Sequence, residues 1–283
     1  MRSFVPDYEL RTATHLNDAL DLLAEGWRPI AGGTDLMVLF NAGKLPYRKL
    51  VSIRRLPELT SIDEGDAEVS IGAAVTYTLI RQHPILREEF PLLCSAASWT
   101  GSIANQNRGT LGGNIVNASP AADSAPVLLV YDAELELISS YGTRRVSYRD
   151  FHLGYKKMQM RDDELLRSIH LPRKTGDWRH YSRKVGPRQA QAISKVCFAG
   201  IARLVKNVME DIRIAAGSVA PVPLRCHTTE SLLRGRPLSV RLIARAAKTI
   251  SDEISPITDI RSTSDYRRTV TANLLADFLQ SLA

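Results

Sequence analysis

Two glycine pairs, each beside short polar residues, are the features of this sequence best suited to binding chemistry. Gly32 and Gly33 stand in AGGTDLM, and Gly112 and Gly113 stand in NRGTLGGN. A glycine pair can adopt positive φ and turn successive backbone N–H groups toward one concave side, which an anion can approach closely. A threonine beside each pair adds a hydroxyl donor. A pyrophosphate suits a clamp made of two such turns, although each pair taken singly is also explained by a structural turn.

Asp35 and Asp123 lie near these turns and need a different explanation, because a carboxylate repels phosphate. Asp123 follows NASPAA, beyond the second turn, where it can accept hydrogen bonds from a ribose or ribityl hydroxyl. The alternative is that it caps a helix over SAPVLLV. Lys184 lies in the basic segment WRHYSRKVGPR, and composition alone predicts that this lysine belongs to a solvated loop.

The sequence lacks the motifs of several other enzyme classes. GxGxxG, the P-loop, HExxH and GxSxG are all missing, which argues against classical dinucleotide folds, P-loop NTPases, zincins and α/β-hydrolases. Cys94, Cys197 and Cys226 are far apart and odd in number, so they indicate no disulfide framework and no CxxC metal site. We expect three reduced packing cysteines, no metal on this chain and no dedicated catalytic acid–base pair.

Composition restricts the remaining possibilities. A chain of 283 residues with 44% hydrophobic and 24% charged residues is typical of a globular protein of two domains. The net charge of +7 comes from scattered Lys and Arg, so nucleic-acid binding is not expected. No apolar run approaches the roughly 20 residues that span a bilayer. The N-terminus lacks the apolar core of a signal peptide, which predicts a cytoplasmic protein without membrane contact.

The elements that position these residues follow from apolar periodicity. THLNDALDLLAEG predicts a helix ended by Gly26, and RPIAGG predicts a short strand that runs into the first glycine pair. KLVSI, AEVSIGAAV and DELLRSIHLP predict further strands, and Pro91 marks a helix start. The polar segment RKTGDWRH is the predicted domain boundary. Beyond it, two adjacent strands precede two amphipathic helices, which predicts an α+β organisation.

Taken together, AGGTDLM and NRGTLGGNIVNASPAADSAPVLL resemble the FAD-binding domain of the molybdenum hydroxylases, a family that includes xanthine dehydrogenase and carbon monoxide dehydrogenase. Other segments fall in the family's order, so the resemblance covers nearly the whole chain: LVSIRRLPEL, VSIGAAVTYTLI, DELLRSIHLP, YSRKVGPRQAQAIS and GSVAPVPLRC. The sequence is most similar to the separate flavin subunits of bacterial xanthine dehydrogenases.

The fold implied by this resemblance is α+β. Residues 1–174 would form a FAD-binding domain of the PCMH/vanillyl-alcohol-oxidase-like type, with subdomains of about 1–55 and 56–174. Residues 175–283 would form a smaller α+β domain similar to the C-terminal domain of the carbon monoxide dehydrogenase flavoprotein.

Specific FAD contacts are also implied by the resemblance. The matching positions are Pro29, Ile30, Ala31, Gly32, Gly33, Thr34, Asp35, Leu36, Thr100, Thr110, Gly112, Gly113, Asn114, Asp123, Leu166 and Lys184. The two glycine turns would face the pyrophosphate, Asp123 the adenosine ribose and Leu166 the flavin. Lys184 would lie near the pyrimidine end of the isoalloxazine ring, where a cation favours the anionic reduced flavin. Thr100 stands where mammalian members have a phenylalanine, which leaves the stacking partner open.

The function implied by the resemblance is electron transfer within a larger enzyme. A small partner subunit would carry 2Fe-2S clusters, and a large partner would carry molybdopterin. Electrons would pass from the clusters through FAD on this chain to NAD+. The alternatives are the flavin subunit of a carbon monoxide, nicotinate or aldehyde dehydrogenase of the same family, and a non-catalytic scaffold that has lost FAD.

Overall fold

The computed structural model of the chain describes residues 6–188 and 190–282. The outer ends of the two predicted domains, at residues 1 and 283, lie outside the described residues. So do the first five residues, on which the signal-peptide expectation partly rests, and Gln189 of the segment YSRKVGPRQAQAIS.

The N-terminal part of the chain forms a small parallel sheet. Its elements are β1 (Glu9–Thr12), α1 (Leu16–Ala24), β2 (Arg28–Ile30), α2 (Leu36–Asn41), β3 (Lys49–Ser52) and α3 (Pro57–Thr60). β1 and β2 both pair with β3 in parallel, so the three strands end at the same edge of the sheet. The predicted helix is confirmed, because α1 buries the leucine face read from the sequence and Gly26, at φ 86°, follows it.

The middle part forms an antiparallel sheet packed against helices. Its elements are β4 (Ile62–Glu64), β5 (Glu68–Gly72), α4 (Tyr77–Gln82), α5 (Pro84–Glu89), α6 (Pro91–Trp99), α7 (Ile103–Gln106), α8 (Leu111–Val116), α9 (Ala125–Val130), β6 (Glu134–Ser139), β7 (Gly142–Ser147), α10 (Tyr148–Phe151), β8 (His152–Gly154), β9 (Lys157–Met158) and β10 (Leu165–Pro172). The strand order is β4-β5-β10-β6-β7. Burial alternates along β6, so one face of this sheet lies on a core shared with α6 and α9.

The C-terminal part combines a four-stranded antiparallel sheet with helices. Its elements are β11 (Arg179–Val185), β12 (Val196–Val205), β13 (Val208–Gly217), β14 (Leu224–Arg225), α11 (His227–Leu233), α12 (Val240–Glu253) and α13 (Ser264–Gln280). The predicted pairing of β12 with β13 is confirmed. β12 is buried on both faces, because α13 covers one side and α9 the other. This explains its nearly continuous apolar sequence.

The polar linker between β10 and β11 covers residues 173–178. None of the helices within residues 6–188 and 190–282 is both long enough and apolar enough to cross a membrane. Helices are combined with one small parallel sheet and with larger antiparallel sheets, in agreement with the predicted α+β class.

Candidate functional site

The first glycine turn lies at the carboxyl edge of the parallel sheet. Pro29 and Ile30 end β2, residues 31–35 form the turn, and Leu36 begins α2. Gly33 has φ 75°, a conformation that side chains disfavour, so this position requires glycine. Ligands of open α/β sheets bind outside the carboxyl ends of parallel strands, which makes this edge a candidate binding position.

The backbone N–H groups of residues 31–36 point to a missing acceptor. In the described part of the chain, none of these six consecutive N–H groups donates a hydrogen bond to a backbone or side-chain acceptor. The Thr34 hydroxyl likewise has no hydrogen-bond partner among the described residues, and Thr34 and Asp35 are exposed. Runs of N–H groups left free in this way form a concave donor surface, which is the arrangement that binds phosphate.

The two glycine turns meet. A Cβ atom placed on Gly32 would lie 2.0 Å from the carbonyl oxygen of Arg108, and one placed on Gly109 would lie 3.4 Å from Thr34 Oγ1. Gly32 is therefore required because the backbone before the second turn packs directly on it. The sequence argument explained both glycines of this pair by the approach of an anion to the backbone. For Gly32 the reason is instead this packing contact, although the N–H groups of residues 31–36, which have no acceptor among the described residues, still agree with an anion site.

The second turn differs from the expected phosphate clamp. Thr110 is the N-cap of α8 and accepts a hydrogen bond of 3.1 Å from the Gly113 N–H. The N–H of Gly112 donates to Ala73 O at 2.9 Å, and that of Asn114 donates to Thr110 O at 3.0 Å. The N–H groups of these three residues are thus already satisfied within the chain. This turn can support the first turn and offer side-chain contacts, but it lacks a run of free N–H groups.

Asp123 and Lys184 form a buried ion pair. Lys184 Nζ donates to Asp123 Oδ2 at 2.6 Å, and the two side chains are 8% and 9% exposed. Burial raises the pKa of Asp123, and the Lys184 charge opposes that shift. Two sequence interpretations are wrong here. Lys184 lies in strand β11 rather than in a solvated loop, and Ser124, not Asp123, occupies the N-cap position of α9.

The ion pair bears on the roles that the resemblance implies for its two members. The resemblance placed Asp123 at the adenosine ribose and Lys184 at the pyrimidine ring, which lie at opposite ends of the cofactor. Because their side chains are in direct contact, a bound dinucleotide meets both in one region. Lys184 also donates to Trp99 O at 2.9 Å. One of the three ammonium N–H groups is left for a ligand.

Ser194 belongs to this site and was missed by sequence reasoning. Its hydroxyl is buried and donates to Asp123 Oδ1 at 2.5 Å, so both carboxylate oxygens have a donor. The only signal in the sequence is a serine before a long apolar strand. Its partner lies 71 residues away, which spacing could not reveal.

The other predicted residues, Asn114, Thr100 and Leu166, differ in how they relate to the ion pair. Asn114 Oδ1 accepts from Ser124 Oγ at 2.6 Å, which connects the second turn to the residue after Asp123. Thr100 follows Trp99, the residue whose carbonyl binds Lys184, and its own hydroxyl donates to Ala96 O at 2.9 Å. Leu166 lies in β10, and the whole residue is only 2% exposed. Neither its side chain nor its backbone is open to a ligand in this structure.

The described residues offer little support for a metal site, a reactive thiol or a second cofactor pocket. They contain no cluster of His, Cys, Asp and Glu side chains suited to a metal ion. Burial raises the pKa of the Cys94 thiol to about 11. A cavity of about 230 Å³ lies over β5 and β10, but its lining includes none of the predicted cofactor residues. His170 in this cavity is hydrogen-bonded to Ser70 at 2.7 Å, as expected of a satisfied structural histidine.

Comparisons with known proteins identify two domain families along the chain. Residues 6–174 match the FAD binding domain in molybdopterin dehydrogenase, and residues 181–282 match the CO dehydrogenase flavoprotein C-terminal domain. The chain is 34% identical over 263 residues to a xanthine dehydrogenase FAD-binding subunit of Escherichia coli O157:H7, covering 91% of this chain and 89% of the relative. It is 32% identical to the glyceraldehyde dehydrogenase medium chain of Sulfolobus acidocaldarius, covering 94% and 95%.

The fold has close counterparts among solved structures. Carbon monoxide dehydrogenase from Hydrogenophaga pseudoflava superposes with a TM-score of 0.94 at 25% identity, over 98% of both chains. Quinoline 2-oxidoreductase from Pseudomonas putida 86 gives a TM-score of 0.91 at 25% identity, over 99% of this chain and 98% of that chain. The chain therefore belongs to the molybdenum hydroxylase family, as an oxidoreductase medium subunit that carries FAD.

Proposed function

We propose that this chain is the electron-transfer subunit of a xanthine (purine) dehydrogenase complex. A small partner holds 2Fe-2S clusters, a large partner holds molybdopterin and oxidises the substrate, and NAD+ is the acceptor. Bound FAD supplies the conversion between one-electron delivery from the clusters and hydride transfer to NAD+. Similarity to the E. coli subunit favours the purine substrate, and carbon monoxide, nicotinate and aldehydes are the alternatives within the family.

The first glycine turn is the observation that supports the proposal most strongly. Its N–H groups and the Thr34 hydroxyl, which have no acceptor among the residues that the structure describes, form a donor surface at the carboxyl edge of the parallel sheet. A diphosphate has acceptor oxygens along both sides and satisfies several such donors at once. The second turn packs beneath Gly32 and fixes the position of these donors. In this proposal residues 29–36 bind the diphosphate, and the second turn holds the first in place through Arg108 and Gly109, just before Thr110.

The buried ion pair is assigned to the ribityl side of the flavin. Asp123 Oδ1 and Oδ2 each keep a lone pair for a ribityl hydroxyl, and Lys184 keeps one N–H for a carbonyl or ring nitrogen. Since Asp123 compensates the Lys184 charge, the pair acts on the ring as an oriented dipole rather than as a free cation. Asn114 and Thr100 complete this end of the site, and the buried Leu166 supports it from strand β10.

The proposal includes the domain division expected from the sequence. Residues 1–174 form the FAD-binding domain, with subdomains of about 1–55 and 56–174, and residues 175–283 form the C-terminal domain. The polar linker 173–178 and the separate four-stranded sheet that follows it support this division. Lys184 and Ser194 then come from the second domain, so FAD binding depends on both.

The test is to purify the complex through a tag on this chain and to examine its flavin and its partners. We expect a yellow protein with one FAD per chain, together with a cysteine-rich small chain and a large molybdopterin-type chain. Xanthine should bleach the flavin absorption and produce NADH when NAD+ is supplied. Carbon monoxide, nicotinate and an aldehyde serve as parallel substrates.

Each rival gives a different result. Reduction by one of the parallel substrates, with none by xanthine, would reassign the complex within the family. Reduction by xanthine without NADH formation would reject NAD+ as the acceptor. A colourless protein that cannot be reconstituted with FAD would support a scaffold without a cofactor.

A further inference from the structure

Three arginines cluster beside the first glycine turn. Arg54 and Arg55 follow β3, whose carboxyl end lies at the same sheet edge as the end of β2. Ile53, the preceding residue, donates its N–H to Ile30 O at 3.1 Å, which fixes this segment next to the turn. Arg108 reaches the same place from the second turn, because its carbonyl packs against Gly32.

The guanidinium charges of these arginines are not matched by acidic side chains in the described part of the chain. Among residues 6–188 and 190–282, none of the three forms an ion pair or a side-chain hydrogen bond with another residue. Partial burial and the charges of Arg108 and Arg55 lower the pKa of Arg54. The Arg54 guanidinium is therefore close enough to those of Arg55 and Arg108 to be repelled by both.

The arginines beside Asp132, in contrast, are neutralised by acidic side chains. Arg225 and Arg213 both bind Asp132, and Arg225 also pairs with Glu230. An unneutralised cluster costs stability, so its presence at the edge of a donor surface points to an anion that arrives from outside the chain. The first turn itself supplies N–H donors but no positive charge.

We propose that Arg54, Arg55 and Arg108 are the counter-ions of the FAD diphosphate, with Arg54 and Arg108 as the principal contacts. The inference rests on the proposed position of the diphosphate at the first turn. Charge-assisted hydrogen bonds from guanidinium groups to phosphate are stronger than those from neutral N–H groups. These arginines would thus make the site selective for a dinucleotide over a flavin without phosphates.

The test is to titrate the FAD-free protein with FAD over a range of salt concentrations. Arg54→Gln and Arg108→Gln should each weaken FAD binding by about tenfold or more, in line with the loss of a charged hydrogen bond. Both should also flatten the dependence of log Kd on log salt concentration. Arg241→Gln is the matched control, because Arg241 is exposed on α12 and also has no ion pair in the described residues.

Thermal unfolding separates a binding role from a structural role. Removing one of three repelling cations should leave the melting temperature of the FAD-free protein unchanged or slightly raised. Unchanged FAD affinity in both variants, or weaker binding with an unaltered salt dependence, would overturn the assignment of the arginines. Absence of FAD binding by the wild-type protein would overturn the proposed function as well.

Discussion

Gly32→Ala tests the contact between the two glycine turns. An added Cβ would lie 2.0 Å from Arg108 O, a distance far below the 3.0 Å that real Cβ atoms keep from non-bonded heavy atoms. The backbone at Gly32 or the backbone at Arg108 must therefore move by about 1 Å, because the atoms that the new Cβ would meet are backbone atoms and cannot rotate away. Forced repacking of this kind costs about 1–3 kcal/mol of unfolding free energy. For a protein of this size that corresponds to a fall in melting temperature of roughly 2–5 °C.

The larger effect of this substitution should be on FAD affinity. A shift of that size misaligns the N–H groups of the first turn, and each lost hydrogen bond to a charged group costs about 1.5–3 kcal/mol. Loss of one such bond weakens binding by about 10- to 150-fold. The assay is a titration of the FAD-free protein followed by quenching of flavin fluorescence, with melting curves to verify folding.

Gly154→Ala is the matched control for this prediction. The nearest heavy atom to a Cβ at Gly154 is Lys157 Cδ at 4.0 Å, so both stability and FAD affinity should stay near the wild-type values. Wild-type FAD affinity in folded Gly32→Ala protein would refute the idea that contact between the turns holds the binding surface.

Three further predictions concern the ion pair, pH and thiol chemistry. Lys184→Met leaves the Asp123 carboxylate buried without its partner and should lower the unfolding free energy by about 3–5 kcal/mol in urea titrations. Adding Asp123→Asn should recover part of that stability, whereas additive losses in the double variant would argue against coupling between the two side chains. Hydrogen bonding from Arg144 lowers the pKa of Glu164, so the Glu164 carboxylate stabilises the fold above its unfolded pKa and loses this effect as pH falls through its folded pKa. Glu164→Gln should therefore cost about 1–3 kcal/mol of unfolding free energy at neutral pH and flatten the acid side of the stability curve. An unchanged acid side would contradict this. With its pKa at about 11, Cys94 should react slowly with iodoacetamide at pH 7.5 until urea is added, and fast labelling of the native protein would contradict its burial.

Local pattern was sufficient to predict much of the fold. The leucine spacing before Gly26 predicts α1, and the long apolar runs predict β12 and β13, because periodicity records which side chains face a core. Gly-Gly turns beside polar residues also identified the two loops that meet in the structure. These features depend on neighbouring residues, which the sequence displays directly.

Long-range partners account for what the sequence did not reveal. The Gly112 N–H donates to Ala73, so the second turn has no free donor at that point, although its sequence resembles the first. Lys184 is buried because Asp123 and the Trp99 carbonyl, 61 and 85 residues away, surround its ammonium group. Such partners follow from how the domains pack, which residue spacing along the chain does not encode.

A crystal structure of the protein with FAD bound tests the central claim most directly. The account predicts diphosphate oxygens at hydrogen-bonding distance, about 2.7–3.2 Å, from backbone N–H groups of the segment Ala31–Leu36. It also predicts the flavin end of the cofactor beside Asp123 and Lys184. A diphosphate bound elsewhere, with the first turn still lacking acceptors, would contradict the account.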